Sequence, residues 1–358
     1  MKLSGSFNRY CLSHRPRAAA VIAGVATVGL ALTACSEPAE NGNSGDDPAA
    51  EGDQATLTVY TSEPEDKVDE INAAFEKEHP DISVEIYRAG TGDLNARIES
   101  EKSSGGIEAD VLWAADSASF DQYVASDDLS QLKDVDTSSL IDEAVSEDGY
   151  YVGTRIIPTV IAYNTDVIDE ADAPQSWADL VDPEYRDKIV LPNPAVSGAA
   201  AFNASVWQNH EQLGEDWINQ LGENSPMVAE SNGPTSQEIA SGSRPVGVVV
   251  DYLVRDLAAQ GSPIATAYPS EGAPYITEPA GVFADSEQQE AAEKYINFLL
   301  SEEGQKLAVE QSYLPVRDDV GVPENTPALD EIELMTPDLD TVTEDKNAAV
   351  KVFQDAMN

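Results

Sequence analysis

Residues 188–200 read KIVLPNPAVSGAA, an apolar run followed by a proline-containing turn and a group of small residues. This pattern predicts a strand over 189–191 and a helix that begins at Ser197, Gly198 and Ala199. The first N–H groups of a helix have no partner inside it and carry partial positive charge, so such a start can bind an anion. An ordinary serine cap on a helix packed against a strand has the same pattern. The rest of the chain decides between these two interpretations.

Strands and helices alternate on the N-terminal side of this stretch. Residues 56–60 and 82–87 have strand patterns, and a helical face runs through Val68 and Phe75 between them. Residues 109–113 predict a third strand. Such repeats predict a parallel sheet, whose ligands lie outside the carboxyl ends of the strands. The polar candidates at those ends are Thr61, Ser62, Thr91, Asp116 and Ser117.

The C-terminal half of the chain predicts a second lobe. Residues 156–163 form a β-rich run that we expect to cross from the first lobe to the second, and residues 264–268 are expected to return the chain. Residues 246–250 predict a buried strand with Asp251 and Tyr252 at its carboxyl end. Two lobes joined by crossing strands form a cleft that closes by hinge motion. The predicted lobes comprise residues 55–158 with 272–320, and residues 159–271 with 321–358.

The N-terminus has the pattern of a lipoprotein leader. Basic residues precede an apolar run over 18–34, and the sequence LTA stands directly before Cys35, which resembles the lipobox of bacterial lipoproteins. We therefore predict a signal peptide over 1–34 and a lipid on Cys35. A membrane span or a plain cleaved signal is the alternative, but the apolar run is short for a span. The polar residues 35–54 predict a flexible acidic tether.

The chain is strongly acidic, with 66 Asp and Glu against 20 Lys and Arg and a net charge of −46. This charge excludes nucleic acid as a partner. An anionic solute needs local hydrogen-bond donors to overcome such a field. One of the two cysteines, Cys11, lies in the predicted leader, so the mature domain is expected to have no internal disulfide.

An enzyme is the main alternative from another functional class. Outside the predicted leader the histidines are His79 and His210, so a Ser-His-Asp triad or a histidine-rich metal site has little material. The sequence has no Gly-x-Ser-x-Gly, His-Glu-x-x-His or P-loop motif. We predict a protein that is not an enzyme and has no resident cofactor. A purely structural acidic lipoprotein is a further alternative, and it would bind no solute saturably.

Several short stretches stand in an order that is typical of one protein family. They are LTVYT at 57–61, GTG at 90–92 with Arg97 and Ile98, ADVLW at 109–113, SGA at 197–199, YPSEG at 268–272, KYINFLLSEEGQ at 294–305 and YLPVR at 313–317. On these stretches the chain from about Thr56 to Asn358 resembles type II periplasmic solute-binding proteins, in the branch that binds ferric ions and organophosphates. The resemblance implies an α/β fold with two lobes, mostly parallel sheets flanked by helices, and a ligand cleft between the lobes. It also implies capture of a small solute and its delivery to an ABC permease.

The resemblance leaves most of a ferric site unmatched. Ferric-binding members have a pair of tyrosines after the strand that matches 246–250, whereas this chain has Asp251 and a single Tyr252 there. A histidine of some of those proteins falls near Pro64, and a glutamate falls near Ala115. Most of the ferric ligands are therefore absent from the sequence.

The anion half of the family site remains. Ser197, Gly198 and Ala199 match the helix start that holds phosphate or carbonate in the family, and Asn232 lies near a further anion contact. The preferred solute is therefore a phosphonate or a phosphorylated small molecule. Donors expected to complete the cage around it are Thr61, Ser62, Thr91, Ser117 and Arg155.

Several of these residues have alternative roles. Asp116 and Asp251 are expected to hold an ammonium group or sugar hydroxyls, yet Asp251 is also suited to cap a helix. Arg155 has surface carboxylates as alternative partners, and Tyr252 can serve as a wall residue. The alternative solute is a ferric ion with a synergistic anion, held by Tyr252, Asp251 and Glu271.

The leader and the resemblance together define an expected location and set of partners. The protein is expected on the extracellular face of the cell membrane, anchored through lipid on Cys35. The expected partners are a small-molecule ligand, an ABC permease and the membrane, with no nucleic acid. The chain is expected to be a monomer.

Overall fold

The computed structural model describes residues 54–357, which belong to one unit spanning Glu51–Asn358. The predicted signal peptide, Cys35 and all but the last residue of the predicted tether lie outside the described residues. Within residues 54–357, no helix is long and apolar enough to cross a bilayer. The strands are β1 (Ala55–Thr61), β2 (Ile82–Arg88), β3 (Val111–Trp113), β4 (Tyr151–Gly153), β5 (Arg155–Asn164), β6 (Ile189–Pro192), β7 (Met227–Ala229), β8 (Val246–Val250), β9 (Ile264–Ala267), β10 (Tyr275–Ile276), β11 (Pro279–Val282) and β12 (Leu314–Pro315). The α-helices are α1 (Glu65–Glu78), α2 (Thr91–Ser104), α3 (Ser117–Ala125), α4 (Gly198–Asn209), α5 (Gly214–Glu223), α6 (Asn232–Ala240), α7 (Asp251–Ala259), α8 (Gln289–Leu300), α9 (Glu302–Glu310) and α10 (Leu339–Ala356).

The first sheet contains five strands in the order β2-β1-β3-β11-β4. Strand β1 runs parallel to β2 and β3, and β11 runs antiparallel to β3 and β4. Leu57 and Val59 of β1 are fully buried and share one core with the apolar face of α1. The strands predicted at 56–60, 82–87 and 109–113 are confirmed as β1, β2 and β3. All three strands contribute apolar side chains to this core.

The second sheet contains seven strands, and β5 lies at its centre. Its path runs β10-β5-β8-β6-β7, and β9 and β12 pair with β5 outside that path. All ten residues of β5 are buried, which is why its sequence lacks the alternation of a half-exposed strand. The strands predicted at 189–191 and 246–250 are confirmed as β6 and β8. Helices flank both sheets, so the predicted α/β class is confirmed.

The chain passes between the two sheets at two neighbouring positions. It leaves the first sheet after β4 and enters the second at β5, and it returns between β10 and β11. The Thr154 N–H donates to the carbonyl oxygen of Thr277 (2.9 Å), and the Thr154 hydroxyl donates to that of Glu278 (2.8 Å). We call these two segments, residues 153–155 and 276–279, the crossing strands. They are hydrogen-bonded to each other where a hinge between two lobes is expected.

The prediction that residues 264–268 return the chain to the first lobe is wrong. These residues form β9, which pairs antiparallel with β5 and stays in the second sheet. The return takes place after β10. A short apolar pattern predicts a strand but does not identify its partner, because pairing depends on residues far away in the sequence.

The last helix, α10, packs against α4 and α5 on the second sheet. It begins at Leu339, where the Asp338 carboxylate caps it by accepting the N–H of Thr341 at 2.9 Å. Leu339 itself is 56% exposed, so the apolar face of the helix starts further along. Phe353 is buried in the second core.

Phe353 of α10 completes an aromatic group that we call the tryptophan cluster. Trp207 of α4 stacks on Phe353 with ring centres 6.4 Å apart. Trp177 and Trp217 lie 5.1 and 5.4 Å from Trp207 by the same measure. Three of the four tryptophans of the chain are thus packed at one place, under the last helix.

Two side chains of α10 reach α3 and the residue before it on the first-sheet side of the molecule, and Thr343 is one of them, since its hydroxyl donates to Asp121 at 3.3 Å. Lys346 forms an ion pair with Asp116, which directly precedes α3. Asp116 is 2% exposed and also accepts a hydrogen bond from the hydroxyl of Ser119. Helix α10 therefore ties the helices of the second sheet to the loop that follows β3.

Replacing Lys346 with methionine is expected to lower the free energy of unfolding by about 1–3 kcal/mol, because it leaves the buried Asp116 carboxylate without its cationic partner. The control is Lys351→Met on the same helix, where Lys351 pairs with Asp355 and both side chains are about two-thirds exposed or more. No measurable change is expected there. Urea unfolding of both variants measures the difference, and equal effects would contradict the bridging role of Lys346.

Candidate functional site

A cavity of about 470 Å³ lies between the two sheets, beside the crossing strands. Its wall is built from the strand ends of the first sheet, the helix starts that follow strands of the second sheet, and Glu278 of the crossing strands. The carboxyl ends of several strands thus meet at one place, as in other open α/β sheets. The predicted site residues that line this cavity are Ser62, Thr91, Ser197, Gly198, Ala199, Asn232 and Tyr252.

Three helices, α2, α4 and α6, begin at the cavity wall. Their N-cap residues are Gly90, Ser197 and Ser231, and all three line the cavity. At the start of α4 the Ser197 hydroxyl oxygen accepts the N–H of Ala200 at 3.2 Å. The N–H groups before it, of Gly198 and Ala199, have no acceptor among the described residues. Free N–H groups and aligned helix dipoles make this wall a strong binding surface for an anion.

Asn232 fixes the position of Ser197. Its side-chain amide donates to the Ser197 hydroxyl oxygen at 2.8 Å, and its amide oxygen accepts the N–H of Val250 at 3.3 Å. Asn232 therefore joins the starts of α4 and α6 to the end of β8. Because its amide and its carbonyl oxygen both have protein partners, Asn232 acts on a ligand mainly through the orientation of Ser197.

The two sides of the cleft touch each other next to these helix starts. The N–H of Gly92, in α2, donates to the carbonyl oxygen of Val196 at 3.2 Å. A methyl group added at Gly198 would lie 2.3 Å from the carbonyl oxygen of Ala115 and 3.0 Å from the Thr91 methyl group. Glycine is required at residue 198 because the backbone of the opposite side comes this close. The described arrangement is therefore a closed one.

Two buried carboxyl groups lie at the crossing-strand end of the cavity. Glu63 is 3% exposed and Glu278 is fully buried. Arg155 donates to Glu63 at 2.6 Å, and the Tyr313 hydroxyl donates to the same oxygen at 2.5 Å. Burial by itself would raise the pKa of Glu63, but the charge of Arg155 and the hydrogen bond from Tyr313 lower it. Burial raises the pKa of Glu278 well above its ordinary value, and the neighbouring charge of Glu63 raises it further. Glu63 is therefore the more acidic of the two carboxyl groups, and Glu278 is the one that holds a proton more strongly.

Tyr252 forms the cavity wall beside this carboxyl pair. Its ring lies against that of Tyr313, with centres 4.2 Å apart. The Lys67 ammonium lies 5.0 Å from the Tyr252 ring centre and 4.7 Å from that of Tyr313. Burial raises the pKa of Tyr252 well above its ordinary value, and the charge of Glu63 adds to this. Tyr252 is therefore a neutral phenol at physiological pH.

Three predicted site residues lie near the cavity without lining it. Thr61 is fully buried, and its hydroxyl oxygen accepts the N–H of Glu63 at 3.2 Å. The Asp116 carboxylate holds an ammonium group, but it is that of Lys346 in this same chain. Arg155 is 2% exposed, so its partners are buried carboxyl groups and not surface carboxylates.

Ser117 and Asp251 are placed outside the main cavity. Ser117 lines a second cavity of about 800 Å³ between α3 and the start of α10. Asp251 is the first residue of α7, is fully buried, and pairs with Arg255 at 2.6 Å. Its carboxylate therefore already has a cationic partner from the next turn of its own helix.

Glu271, named for the ferric alternative, serves another structural role. Its carboxylate accepts the N–H groups of Trp177 (3.2 Å) and Ala178 (3.1 Å) and the hydroxyl of Ser176 (2.8 Å). These contacts cap the short 3₁₀ helix Trp177–Val181. Glu271 lines a cavity other than the one lined by Tyr252, so the structure does not bring the two residues together.

Five charged residues of the wall are absent from the predicted site: Glu63, Arg88, Asp93, Glu230 and Glu278. Arg88 is the last residue of β2, and the rule that located Thr61 and Ser62 could have found it too. Glu63 follows the same strand end as Ser62. Glu278 has no local signal, because its burial results from the pairing of the crossing strands.

Replacing Glu278 with glutamine is expected to change how stability depends on pH. The folded chain holds this proton to higher pH than the unfolded chain, so its contribution to stability is complete below the ordinary value of 4.5 and is lost as pH rises through the raised pKa. Glutamine has no proton to lose. The variant is therefore expected to gain stability relative to the original chain as pH rises. Urea unfolding across a pH series measures this difference, and a difference that is constant with pH would contradict the assignment.

Comparison with known proteins agrees with this fold and cleft. A sequence model of the family described as bacterial extracellular solute-binding protein matches residues 70–333. A provisionally named 2-aminoethylphosphonate-binding periplasmic protein of Salmonella typhimurium is 27% identical over 288 residues, which cover 73% of this chain and 79% of the relative. Iron uptake protein A1 of Synechocystis is 23% identical over 339 residues, which cover 88% and 91%.

Solved structures share the same architecture. Iron-bound HitA from Pseudomonas aeruginosa superposes with a TM-score of 0.75 at 23% identity, over 84% of this chain and 99% of HitA. The periplasmic binding protein AfuA from Actinobacillus pleuropneumoniae, with fructose-6-phosphate bound, gives 0.76 at 20% identity, over 85% and 99%. At these identities the likeness shows the two-lobed binding-protein fold alone.

The fold and the interlobe cavity define a solute-binding protein of an ABC importer, which captures a small molecule and delivers it to a permease. The chain belongs to the bacterial extracellular solute-binding protein family, whose sequence model covers more than half of it. Its characterised relatives are periplasmic or extracellular binding proteins and not enzymes.

Proposed function

We propose that the solute is a small molecule with a phosphonate or phosphate group, held at the starts of α2, α4 and α6. The observation that carries this proposal is the helix start at Ser197, where the N–H groups of Gly198 and Ala199 have no acceptor among residues 54–357. A phosphonate has oxygens enough to accept both N–H groups and the Ser197 hydroxyl. Arg88, whose Nε donates to the carbonyl oxygen of Glu63 at 3.0 Å, adds a cation at the rim.

Two comparisons support this chemistry. The Salmonella relative is named for 2-aminoethylphosphonate, and AfuA was solved with fructose-6-phosphate. Both solutes carry a tetrahedral phosphorus group on a short carbon chain. The cavity, at about 470 Å³, has room for a solute of this size.

The surroundings of Tyr252 argue against the ferric alternative. A ferric ion needs phenolate and carboxylate oxygens, yet Tyr252 is a neutral phenol and the Lys67 ammonium lies close to its ring. Asp251 is paired with Arg255, and Glu271 caps a distant helix. The Lys67 ammonium disfavours a trivalent cation at this position. No group of three or more His, Cys, Asp or Glu side chains suited to a metal occurs among the described residues.

The remaining parts of the proposal concern location and assembly. The lipobox-like sequence before Cys35 supports a lipid anchor that holds the protein at the extracellular face of the membrane. We propose that the protein acts there as a monomer without a resident cofactor, and that it carries out no catalysis.

The proposal is tested with the full-length protein in detergent, by thermal unfolding with 2-aminoethylphosphonate, glycerol 3-phosphate, fructose 6-phosphate and ferric citrate. At least one phosphorus compound is expected to raise the melting temperature. Ser197→Asp keeps a good helix cap but adds a negative charge, so it is expected to weaken that binding by about 100-fold. The control is Ser301→Asp, because Ser301 caps α9 outside the cavity by accepting the N–H of Gly304. Colour and stabilisation with iron, and none with phosphorus compounds, would overturn the proposal.

A further inference from the structure

Glu278 is a buried carboxyl group without a hydrogen-bond partner in the cavity wall. Its side chain is fully buried, and neither carboxyl oxygen has a hydrogen-bond partner among the described residues. It lies between β10 and β11, on a crossing strand, with a backbone φ of 42°. A residue other than glycine adopts this left-handed conformation only where its surroundings impose it. The crossing strands therefore hold the Glu278 carboxyl group in the cavity wall.

The cations near Glu278 have other partners. Arg155 donates to Glu63 at 2.6 Å, whereas its nearest approach to Glu278 is a longer 3.4 Å. Lys67 pairs with Asp256 at 2.7 Å. Each cation is thus balanced by one carboxylate. Among the described residues, an ionised Glu278 would have to share Arg155 with Glu63, at the longer distance of 3.4 Å.

The cavity wall contains more acidic than basic side chains. Its acidic residues are Glu63, Asp93, Glu230 and Glu278, whereas its one cation is Arg88. The anion-binding helix starts and the carboxyl groups therefore form two regions of one cavity, the first positive and the second negative. A solute with an anionic group alone would leave the second region unmatched.

We infer that Glu278, with Glu63 beside it, receives an ammonium group of the solute, so that the cavity selects zwitterions with an amine at one end and a phosphonate or phosphate at the other. This inference rests on the proposed function, because the helix starts are taken to hold the anion. An ammonium group donates up to three hydrogen bonds, which suits two adjacent carboxyl groups. A sugar hydroxyl would satisfy one oxygen but would not balance the charge.

Binding of the ammonium group involves a proton. The charged groups that face Glu278 are Glu63, Arg155 and Lys67, and the neutral phenols Tyr252 and Tyr313 complete its surroundings. When the ammonium arrives, Glu278 ionises and its proton passes to the solvent. The two carboxylates then face two positive neighbours, Arg155 and the solute.

The test compares matched solutes on the full-length protein by titration calorimetry. The probes are 2-aminoethylphosphonate and O-phosphoethanolamine, which have both groups, and ethylphosphonate, which lacks the amine. The two amines are expected to bind about 100-fold more tightly than ethylphosphonate. Tighter binding of 2-aminoethylphosphonate would indicate a phosphonate solute, and tighter binding of O-phosphoethanolamine would indicate a phosphate ester. Calorimetry in buffers of different ionisation enthalpy should detect proton release with the amines and less with ethylphosphonate.

Two variants distinguish direct contact between Glu278 and the ammonium group from the general electrostatic effect of the acidic residues around the cavity. Glu278→Gln is expected to weaken binding of the amines by about 100-fold and to leave ethylphosphonate within about threefold, which abolishes the selectivity. Glu230→Gln makes the same change of charge at the exposed rim of the same cavity, and selectivity is expected to persist. The melting temperature of Glu278→Gln, expected to be at least that of the original chain, verifies folding.

The outcomes distinguish this inference from the proposed function. Equal affinity for ethylphosphonate and 2-aminoethylphosphonate, or for fructose 6-phosphate and 2-aminoethylphosphonate, would overturn the inference and leave the phosphorus site intact. Unchanged selectivity in Glu278→Gln would do the same. If none of the phosphorus compounds binds, the proposed function itself fails.

Discussion

Replacing Arg155 with methionine is expected to lower the free energy of unfolding by about 3–5 kcal/mol, the cost of leaving a buried charge without its partner. Arg155 is 2% exposed, and its guanidinium bonds to Glu63 at 2.6 Å. It also lies over the rings of Trp113 and Tyr313, at 4.6 and 4.0 Å from their centres. Methionine retains much of this packing but none of the charge. Urea unfolding measures the loss.

A double variant shows whether the loss comes from the unpaired carboxylate. Adding Glu63→Gln to Arg155→Met removes the unpaired Glu63 carboxylate. We therefore expect the double variant to regain a large part of the lost stability. If Arg155 instead binds solute directly, as the sequence allows, the single variant would weaken solute binding while stability stays nearly unchanged. That result would contradict the internal role described for Arg155.

Replacing Gly198 with alanine is expected to weaken solute binding by about 10- to 100-fold, because overpacking of a tight contact costs about 1–3 kcal/mol. The added methyl group would lie 2.3 Å from the carbonyl oxygen of Ala115, so the two sides of the cleft could not approach as closely. Helix α4 should form as before, since alanine is a better helix former than glycine. Titration with 2-aminoethylphosphonate measures the affinity, and small-angle scattering measures compaction on binding.

A matched control exists at the start of a neighbouring helix. Gly233 of α6 lines the same cavity, but a methyl group there would meet nothing within 4 Å. Gly233→Ala is therefore expected to retain affinity and compaction. If both variants lose affinity equally, the effect belongs to the helix starts in general and not to closure of the cleft.

Much of the fold can be predicted from the sequence because its signals are local. The alternation in β1 and β2 and the buried run of β8 indicate strands whatever their partners are. The small residues from Ser197 to Ala199 indicate a helix start for the same reason. The choice of sheet is not local, which explains why residues 264–268 do not return the chain to the first lobe as predicted. Its sequence is the same whether it pairs with β5 or with the first sheet.

The residues of the site also differ in whether the local sequence can predict them. Residues at strand ends and helix starts reach the cavity because backbone geometry places them there, as with Thr91 and Asn232. The partners of buried charges depend on distant segments. Asp116 meets Lys346 across 230 residues of sequence, and Glu278 meets Glu63 and Arg155 only because the crossing strands run side by side. No spacing in the sequence encodes these contacts.

The tryptophan cluster provides an intrinsic fluorescence signal for solute binding. Indole emission responds to packing, and Trp207 rests on Phe353 of the one helix that also bonds to the far side of the cleft through Lys346. Trp113, the remaining tryptophan, donates to the Thr154 hydroxyl of a crossing strand at 2.9 Å. Every indole of the chain therefore lies next to a part that links the two sides. Rates of solute capture and release can be followed by ultraviolet fluorescence on the unlabelled protein.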